Sequence, residues 1–572
     1  MNKSKIIIFI FTLILVFTSI FLYSCEYNDM GLLTIDDETG SINGEDNSID
    51  SDVTAREFFL ESKEKQKNEN PLDDINIRKA IFYAIDRKRI VNELLGEYGE
   101  VLASLFTKDS YYYYPAWSEY DYDINKAKES LSRAGYGVDN PLYITIGSIS
   151  DNSIRQRIEE MIIEDLDKIG IKLWVFNKPS KEWYQDYVEK GDYELGIWSI
   201  YNFDGSSLTY NFNSGKIPPL KTEENKNCEN FYWYENSNVD EILRKIAKET
   251  DSEVKKDLLQ DLQDFLAQDA VILPLYSRLF SIAYNNKKLE RIDISIKNNK
   301  IFYNMENWIL SGEENADENS ENEIIIGYEG EDYELSGLFD FDYINDLLVR
   351  GLWRIDEKGD FEAVLAAEDD YSDEDMDGIP DLEINVTLKD DIFWENEEPV
   401  TSKDVKYTYD SILGNENLNI DEDYSKVKGI EVINEKEFKI VFKENISNWK
   451  KLFPLVLKEG SLDEKDISNL SPNDIISNGP YKIGEYKEKD YLILVKNEFY
   501  SGPAIEIDSI RVIFDVDINN LVSMLRDEEI DLLNIPVDLD LMKSLEEDGN
   551  FDLLVKPGDL LEHLAICLKP KD

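Results

Sequence analysis

The sequence predicts an α/β protein of two lobes, with an additional, mostly antiparallel subdomain in its second half. Its 572 residues exceed the roughly 250–300 residues at which a single hydrophobic core stops growing. Residues 58–310 alternate helical patterns with short apolar strands, which is typical of an α/β lobe. Residues 323–572 contain more segments in which apolar and polar residues alternate, and this pattern is typical of half-buried strands.

Helices and strands follow one another in the first half. Apolar residues recur at helical spacing over 77–95 and 154–166, and each pattern predicts an amphipathic helix. The apolar runs 171–175, 195–200 and 270–276 are short enough to be buried strands. Strands separated by helices indicate an α/β lobe.

The second half begins with an apolar strand at 324–328 and contains a helical pattern at 402–413. Alternating segments then predict strands, many of them close enough in sequence to form hairpins. These segments cover residues 428–433, 438–442, 481–485, 491–496 and 509–514. The predicted helix 518–526 and strand 560–568 complete this half.

Two polar, acidic stretches divide the chain. Residues 26–57 lack apolar periodicity and predict a flexible tether, and residues 311–322 (SGEENADENSEN) predict an internal linker. We therefore expect a signal segment, a tether, a first lobe, return strands to the other lobe, a linker and a second lobe. Their ranges are 1–25, 26–57, 58–275, 276–310, 311–322 and 323–572.

The N-terminus resembles a bacterial lipoprotein signal. Lys3 and Lys5 precede a long apolar run over 6–21, which ends in Leu22-Tyr23-Ser24-Cys25. The resemblance implies that Cys25 is acylated and becomes the first residue of a protein anchored by lipid at the extracytoplasmic face of the cell membrane. The alternative is a plain membrane-anchor helix, because about 18 apolar residues nearly span a bilayer. Either alternative predicts an exported chain.

The charge balance is strongly acidic, with 120 acidic against 61 basic residues and a formal net charge of −59. Such a surface repels phosphate backbones, so we expect no nucleic-acid partner. Cys228 and Cys567 are too far apart in sequence to suggest a disulfide framework or a metal site. We expect both to be free, buried thiols, and we expect the protein to be a monomer.

Five motifs carry a resemblance to a known family. They are 71–87 (PLDDINIRKAIFYAIDR), 122–136 (YDINKAKESLSRAGY), 398–409 (EPVTSKDVKYTY), 478–486 (NGPYKIGEY) and 497–500 (NEFY). Together they resemble the family 5 extracellular solute-binding proteins, which deliver oligopeptides, dipeptides or nickel chelates to ABC importers. The resemblance implies a two-lobed, periplasmic-binding-protein-like fold of type II, a small peptide or other small solute as ligand, and ABC permease subunits as partners.

The order of these motifs differs from that of the family, in which the last three come before the first two. The segments 57–65 and 562–571 also both resemble the same family strand. We therefore expect a circularly permuted fold, with an accidental fragment of a tandem gene as the alternative. We also expect the chain to cross covalently between the lobes once, near Ser277, with any second hinge strand supplied non-covalently by a chain end.

Candidate ligand residues follow from the resemblance. Residues 198–207 (WSIYNFDGSS) match the stretch in which peptide-binding members hold the ligand's α-amine with an Asp. Aligned from Trp198, that position is Tyr201, and Asp204 matches a later Asp. Trp198 is a candidate cleft aromatic or a core residue. Asp204 is a substitute anchor or a turn residue before a glycine.

Asn478 and Gly479 are further candidates, because a glycine allows close backbone approach. The alternative role for this pair is a tight turn at a lobe junction. Trp394 and Phe393 are expected in the core rather than at a ligand.

One acidic stretch has metal-ligand spacing. Asp373, Asp375, Asp377 and Asp381 occupy positions 1, 3, 5 and 9 of a loop with glycine at position 6, as in calcium loops. Position 12 is Ile384 rather than a bidentate Glu, so we expect at most a weak structural calcium site and no other cofactor. The alternative is an acidic hairpin turn.

No catalytic constellation is present: the single histidine, His563, lies in an apolar strand. We therefore expect a binding protein, not an enzyme. Solute capture for an ABC importer is the first hypothesis. The alternatives are a surface receptor that senses a ligand or peptide without transport, and a rearranged fragment that no longer functions.

Overall fold

The computed structural model describes most of the chain after residue 48. The described residues are 49–66, 70–202, 205, 207–218, 228–249, 251–294, 301–311, 322–330, 344–356, 361–371, 383–415, 422–444, 449–462, 467 and 470–570.

Strands are numbered here in chain order. They are β1 Leu142–Gly147, β2 Ile171–Val175, β3 Leu195–Tyr201, β4 Ile272–Asn285, β5 Leu289–Arg291, β6 Ile309–Leu310, β7 Glu323–Glu329, β8 Trp353–Ile355, β9 Phe361–Ala363, β10 Ala366–Tyr371, β11 Glu383–Leu388, β12 Val427–Val432, β13 Glu437–Phe442, β14 Tyr481–Lys487, β15 Tyr491–Lys496, β16 Ser509–Asp515, β17 Leu532–Asn534 and β18 Phe551–Ile566.

The α-helices are numbered in the same way. They are α1 Ile49–Glu64, α2 Ile75–Ala84, α3 Arg87–Leu95, α4 Ile124–Arg133, α5 Ser153–Asp167, α6 Ser180–Glu182, α7 Leu208–Phe212, α8 Ser237–Ile246, α9 Ser252–Gln268, α10 Asn345–Leu348, α11 Ser402–Leu413, α12 Ile518–Arg526 and α13 Leu539–Asp548.

The main sheet has ten strands in the order β14-β15-β16-β7-β17-β4-β18-β3-β1-β2. In the first lobe, β2, β1 and β3 run parallel to one another. In the second lobe, β16, β7 and β17 run parallel, and β14 and β15 extend that sheet as antiparallel strands. A separate antiparallel sheet, β10-β11-β13-β12, is the predicted subdomain. The mixed α/β fold with a large sheet confirms the predicted fold class.

The two longest strands join the lobes. The first half of β4 pairs with the last half of β18 in the first lobe, and their other halves pair in the second lobe. The chain thus crosses covalently twice, at residues 277–279 and again at residues 557–561. The expectation of a single covalent crossing near Ser277 was wrong, because the C-terminal strand continues from one lobe into the other without a break. Residues 561–567 accordingly lie in the core of the first lobe.

Local sequence accounts for where helices begin. The pattern over 77–95 predicted one helix, but the structure has two, since Asp86 interrupts it and its carboxylate accepts a hydrogen bond from the Arg89 backbone amide at 3.0 Å. The helix predicted at 402–413 begins with a capping box, in which Asp404 accepts a 2.7 Å hydrogen bond from the Thr401 amide.

The two ends of the described chain meet at the outer end of the first lobe. Phe59 of α1 packs on the rings of Tyr143 and Trp174. The Asn70 side-chain amide donates hydrogen bonds to the carbonyls of Cys567 and Lys569, both at 3.1 Å. A pocket of about 560 Å³ lies between these ends. Cys228 and Cys567 are buried and are not joined in a disulfide, as predicted.

Candidate ligand-binding cleft

The carboxyl ends of the parallel strands converge on the two crossing segments. In the first lobe, Tyr201 at the end of β3 is opposite Leu560 of β18. In the second lobe, Asn534 at the end of β17 is opposite Ile282 of β4. Because β1 and β2 run parallel to β3, and β7 and β16 to β17, all six strands point toward the crossing. In open α/β sheets ligands bind beyond such carboxyl ends, so the space beside the crossing is the candidate cleft.

β18 bulges where it crosses between the lobes. Pro557 is opposite Leu279 and Leu561 is opposite Ser277, so three residues of β18 face the single residue Arg278 of β4. Bulged strands bend at the extra residues. β18 pairs with β4 on both sides of this bulge, with a second, one-residue irregularity between Glu562 and His563. The larger bulge is therefore the part of the crossing best suited to bending.

A buried ion pair fixes β18 next to this bulge. Nε of Arg155, near the start of α5, donates to Glu562 at 2.7 Å, and the hydroxyl of Ser199 in β3 donates to Glu562 at 2.6 Å. Arg155 and Glu562 are 6% and 3% exposed. Burial alone would raise the pKa of Glu562, but the Arg155 charge lowers it below its ordinary value. Glu562 is therefore ionised and tied to two elements of the first lobe.

The next residue, His563, is fully buried. Its Nε2 lies 2.9 Å from the Tyr232 hydroxyl, and its ring meets the Trp198 indole edge-on. Burial lowers the pKa of His563 from 6.5 to about 3, so the imidazole is neutral at physiological pH. Trp198 is 2% exposed and also packs against Tyr193. The structure thus gives Trp198 the core role, which was the alternative to cleft contact.

Tyr201 is one of the few large side chains exposed at the crossing. It is 40% exposed, and the hydroxyl of Ser207 donates to its carbonyl at 2.9 Å. The neighbouring Asn202 is buried, and its backbone amide donates to the Asp559 carbonyl in the bulge at 3.1 Å. Tyr201 thus lies at the edge of the candidate cleft. It occupies the sequence position at which the family resemblance places the amine-binding Asp.

Asn478 and Gly479 lie elsewhere. Oδ1 of Asn478 accepts a hydrogen bond from the Arg350 amide at 2.5 Å. A Cβ on Gly479 would lie 2.4 Å from the Leu347 carbonyl oxygen, so only glycine fits. They precede β14, whose first residue is at the end of the sheet where β7 and β16 begin. A seven-residue strand spans about 20 Å, so these two residues form a tight turn remote from the carboxyl ends.

Several predicted site residues lie outside the described part of the chain. They are Cys25, Asp204, Asp373, Asp375, Asp377 and Asp381. Within the described ranges there is no group of three or more His, Cys, Asp or Glu side chains that could hold a metal ion. Nor does any helix in that part of the chain have the length and apolar character needed to cross a membrane.

Sequence reasoning missed the Arg155–Glu562 pair. The two residues are 407 positions apart, and neither belongs to one of the five motifs. A charged residue inside the apolar strand 560–568 was the one available signal, because a buried carboxylate requires a partner.

Together, the two lobes, the paired crossing strands and the shared cleft edge define the class of two-lobed binding proteins. The profile of the bacterial extracellular solute-binding proteins, family 5 Middle, matches residues 26–218 and 372–569. The chain belongs to this family of solute-binding proteins.

Curated relatives share part of the chain. Heme-binding protein A of Haemophilus influenzae is 28% identical over 211 residues, which are 36% of this chain and 37% of that protein. A glutathione-binding protein of Escherichia coli K12 is 27% identical over 209 residues, 36% of this chain and 40% of that protein. The matched segment thus spans about two fifths of the length of these relatives.

Solved structures are similar over a comparable extent. The Campylobacter jejuni protein NikZ in complex with Ni(L-His) has 23% identity and a TM-score of 0.36, and the match covers 41% of this chain and 47% of that one. The Bacillus subtilis oligopeptide-binding protein AppA in complex with a nonapeptide has 21% identity and a TM-score of 0.34, with 39% and 46% covered.

Proposed function

We propose that this protein captures a small peptide or similar small solute outside the cytoplasmic membrane and delivers it to an ABC importer. The observation that carries the proposal is the cleft, in which six strand ends from two lobes face each other across two crossing strands. Bending at the β18 bulge would bring the lobes together around a ligand, as hinge closure does in two-lobed receptors. The permease subunits would recognise the closed form.

Tyr201 indicates which class of ligand the cleft would bind. In the peptide-binding members that the chain resembles, an acidic side chain at this position pairs with the α-amine of the peptide. The tyrosine of this chain offers a ring and a hydroxyl instead. We therefore propose a solute that is bound through its backbone or its apolar surface, rather than through a free α-amine.

We further propose that Cys25 carries the lipid anchor and that the family's two halves are permuted. The contact between Asn70 and residues 567–569 supports the permutation, because it places the chain end beside the motif that begins at Pro71. A relinked chain tests it: Pro570 is joined to Asn70, and new ends are opened within 311–322. We expect the relinked protein to fold and to bind the same solute. An unfolded product would contradict the permutation.

Native mass spectrometry tests the function directly. Residues 26–572 would be purified without refolding from cells grown in peptide-rich medium. We expect a folded monomer with adducts that disappear on denaturation and whose masses identify the solute class. A folded monomer without adducts across several growth media would count against solute capture. An unfolded chain would favour the rearranged fragment, and adducts without binding to any permease complex would favour a sensing receptor.

A further inference from the structure

Four arginines of the described chain are buried, and three of them have acceptors for their guanidinium groups. Arg78 donates to three backbone carbonyls, Arg87 donates to four, and Arg155 is paired with Glu562. This is the expected pattern, because a buried cation without an acceptor loses its hydration and gains nothing in return. The fourth, Arg350, departs from it.

Arg350 is 9% exposed, yet its guanidinium has no ion pair and no hydrogen bond to the described residues. Its Nε is fully buried and has no acceptor. The ring of Tyr500 lies beside the guanidinium, with its centroid 5.9 Å from Cζ. A ring at that distance covers one face of the guanidinium and leaves its in-plane donors unused.

The backbone of Arg350 is held by hydrogen bonds on both sides. Its amide donates to Oδ1 of Asn478 at 2.5 Å, and its carbonyl accepts from the Val456 amide at 3.1 Å. Gly479, which follows Asn478, packs against the Leu347 carbonyl. The turn at 478–479 therefore fixes the base of the Arg350 side chain.

The chain has 120 acidic residues, and none of the described ones is paired with this cation. A group that offers several in-plane donors in a largely dehydrated position selects an acceptor with negative charge. Because only 9% of Arg350 is exposed, an acceptor at its guanidinium would have to be small.

We propose that Arg350 is the centre of an anion site in the second lobe, which binds a small monovalent anion such as a halide or a carboxylate. The ion would lie in the guanidinium plane beside Tyr500 and would connect the segments around residues 350, 478 and 500. The site is remote from the cleft, so it does not depend on the proposed transport function.

Bromide tests the site without any variant, since its anomalous scattering identifies it. Crystals of residues 26–572 would be soaked in sodium bromide, and a parallel set in sodium acetate. We expect an anomalous peak within hydrogen-bonding distance of the Arg350 guanidinium; a carboxylate-shaped density there in the acetate set alone would identify the carboxylate source. Only water at this position in both sets would overturn the proposal.

A second measurement uses Arg511 as a matched control. Arg511 lies over the Tyr491 ring in the same lobe but has a carboxylate partner, Glu323 at 3.3 Å. Replacing sodium gluconate by sodium bromide at equal ionic strength should raise the melting temperature of the wild type and of Arg511→Met by about 1–2 °C. Arg350→Met should show no such rise. Equal rises in all three proteins would contradict the site.

Discussion

Arg155 and Glu562 form a buried ion pair with Nε and Oε1 2.7 Å apart, and it fixes the second crossing strand to the first lobe. We expect Glu562→Gln to destabilise the protein by about 3–5 kcal/mol, because it leaves Arg155 buried without a counter-charge. Urea unfolding at pH 7 measures this loss.

Arg157 provides the control on the same helix. It is paired with Glu93 and Glu160 and its side chain is 41% exposed, so Arg157→Ala should destabilise the protein far less than Glu562→Gln, because solvent screens an exposed ion pair. Similar losses in the two variants would mean that the buried pair has no special role.

The stability of the segment that ends near Lys569 should depend on the side chain of Asn70. Asn70→Ala removes two hydrogen bonds to backbone carbonyls and should cost about 1–3 kcal/mol. Hydrogen exchange should accelerate at residues 564–568 and not in β1. Asn125→Ala, at an exposed site on α4, is the control and should change neither quantity. Unchanged exchange at 564–568 in Asn70→Ala would refute the proposed contact.

His563 should make stability fall in mild acid. Its pKa is about 3 in the folded protein and 6.5 ordinarily, so the unfolded chain takes up the proton first as the pH falls below 6.5. Between pH 6.5 and 4.5 the free energy of unfolding should drop by about 2–3 kcal/mol from this group, at about 1.4 kcal/mol per pH unit.

Comparison with His563→Gln isolates this effect from the titration of carboxylates. The amide oxygen of glutamine can still accept from Tyr232 but takes up no proton in this range, so the variant should lose about 2–3 kcal/mol less than the wild type. Urea unfolding at both pH values measures the difference. Identical losses would show that His563 is protonated in the folded protein.

The residue at position 201 should determine whether the protein prefers peptides with a free α-amine. Tyr201→Asp places a carboxylate at the cleft edge, and an ion pair at such a half-exposed position is worth up to about 1 kcal/mol. We expect peptides with a free N-terminus to bind up to roughly fivefold more tightly, measured by calorimetry. N-acetylated versions of the same peptides are the control. An equal gain for both would exclude an amine contact at this position.

Local elements were predictable where one pattern dominates. The helix at 402–413 and the strand at 171–175 have the predicted bounds, because their apolar spacing agrees with their capping and flanking residues. The helix over 77–95 was predicted as one element, since the helical spacing of apolar residues continues on both sides of Asp86. There the Asp86 side chain competes for a backbone amide, and spacing alone does not reveal such competition.

Less of the cleft could be predicted from the sequence. The motif around Trp198 identified Tyr201, which is at the cleft edge, but could not show that Trp198 faces the core. The pairing of Arg155 with Glu562 and of β18 with both lobes depends on contacts between residues hundreds of positions apart. These contacts are set by the tertiary fold, and no local pattern encodes them.

Double electron–electron resonance measures whether the two lobes close around a solute. Spin labels at Val138 in the first lobe and Ile433 in the second use exposed positions, while Cys228 and Cys567 are buried. Protein purified with its solute would be compared with the same protein after the solute is removed by unfolding and refolding. We predict a shorter and narrower distance distribution in the loaded protein. Identical distance distributions in the two samples would contradict closure of the lobes around a solute.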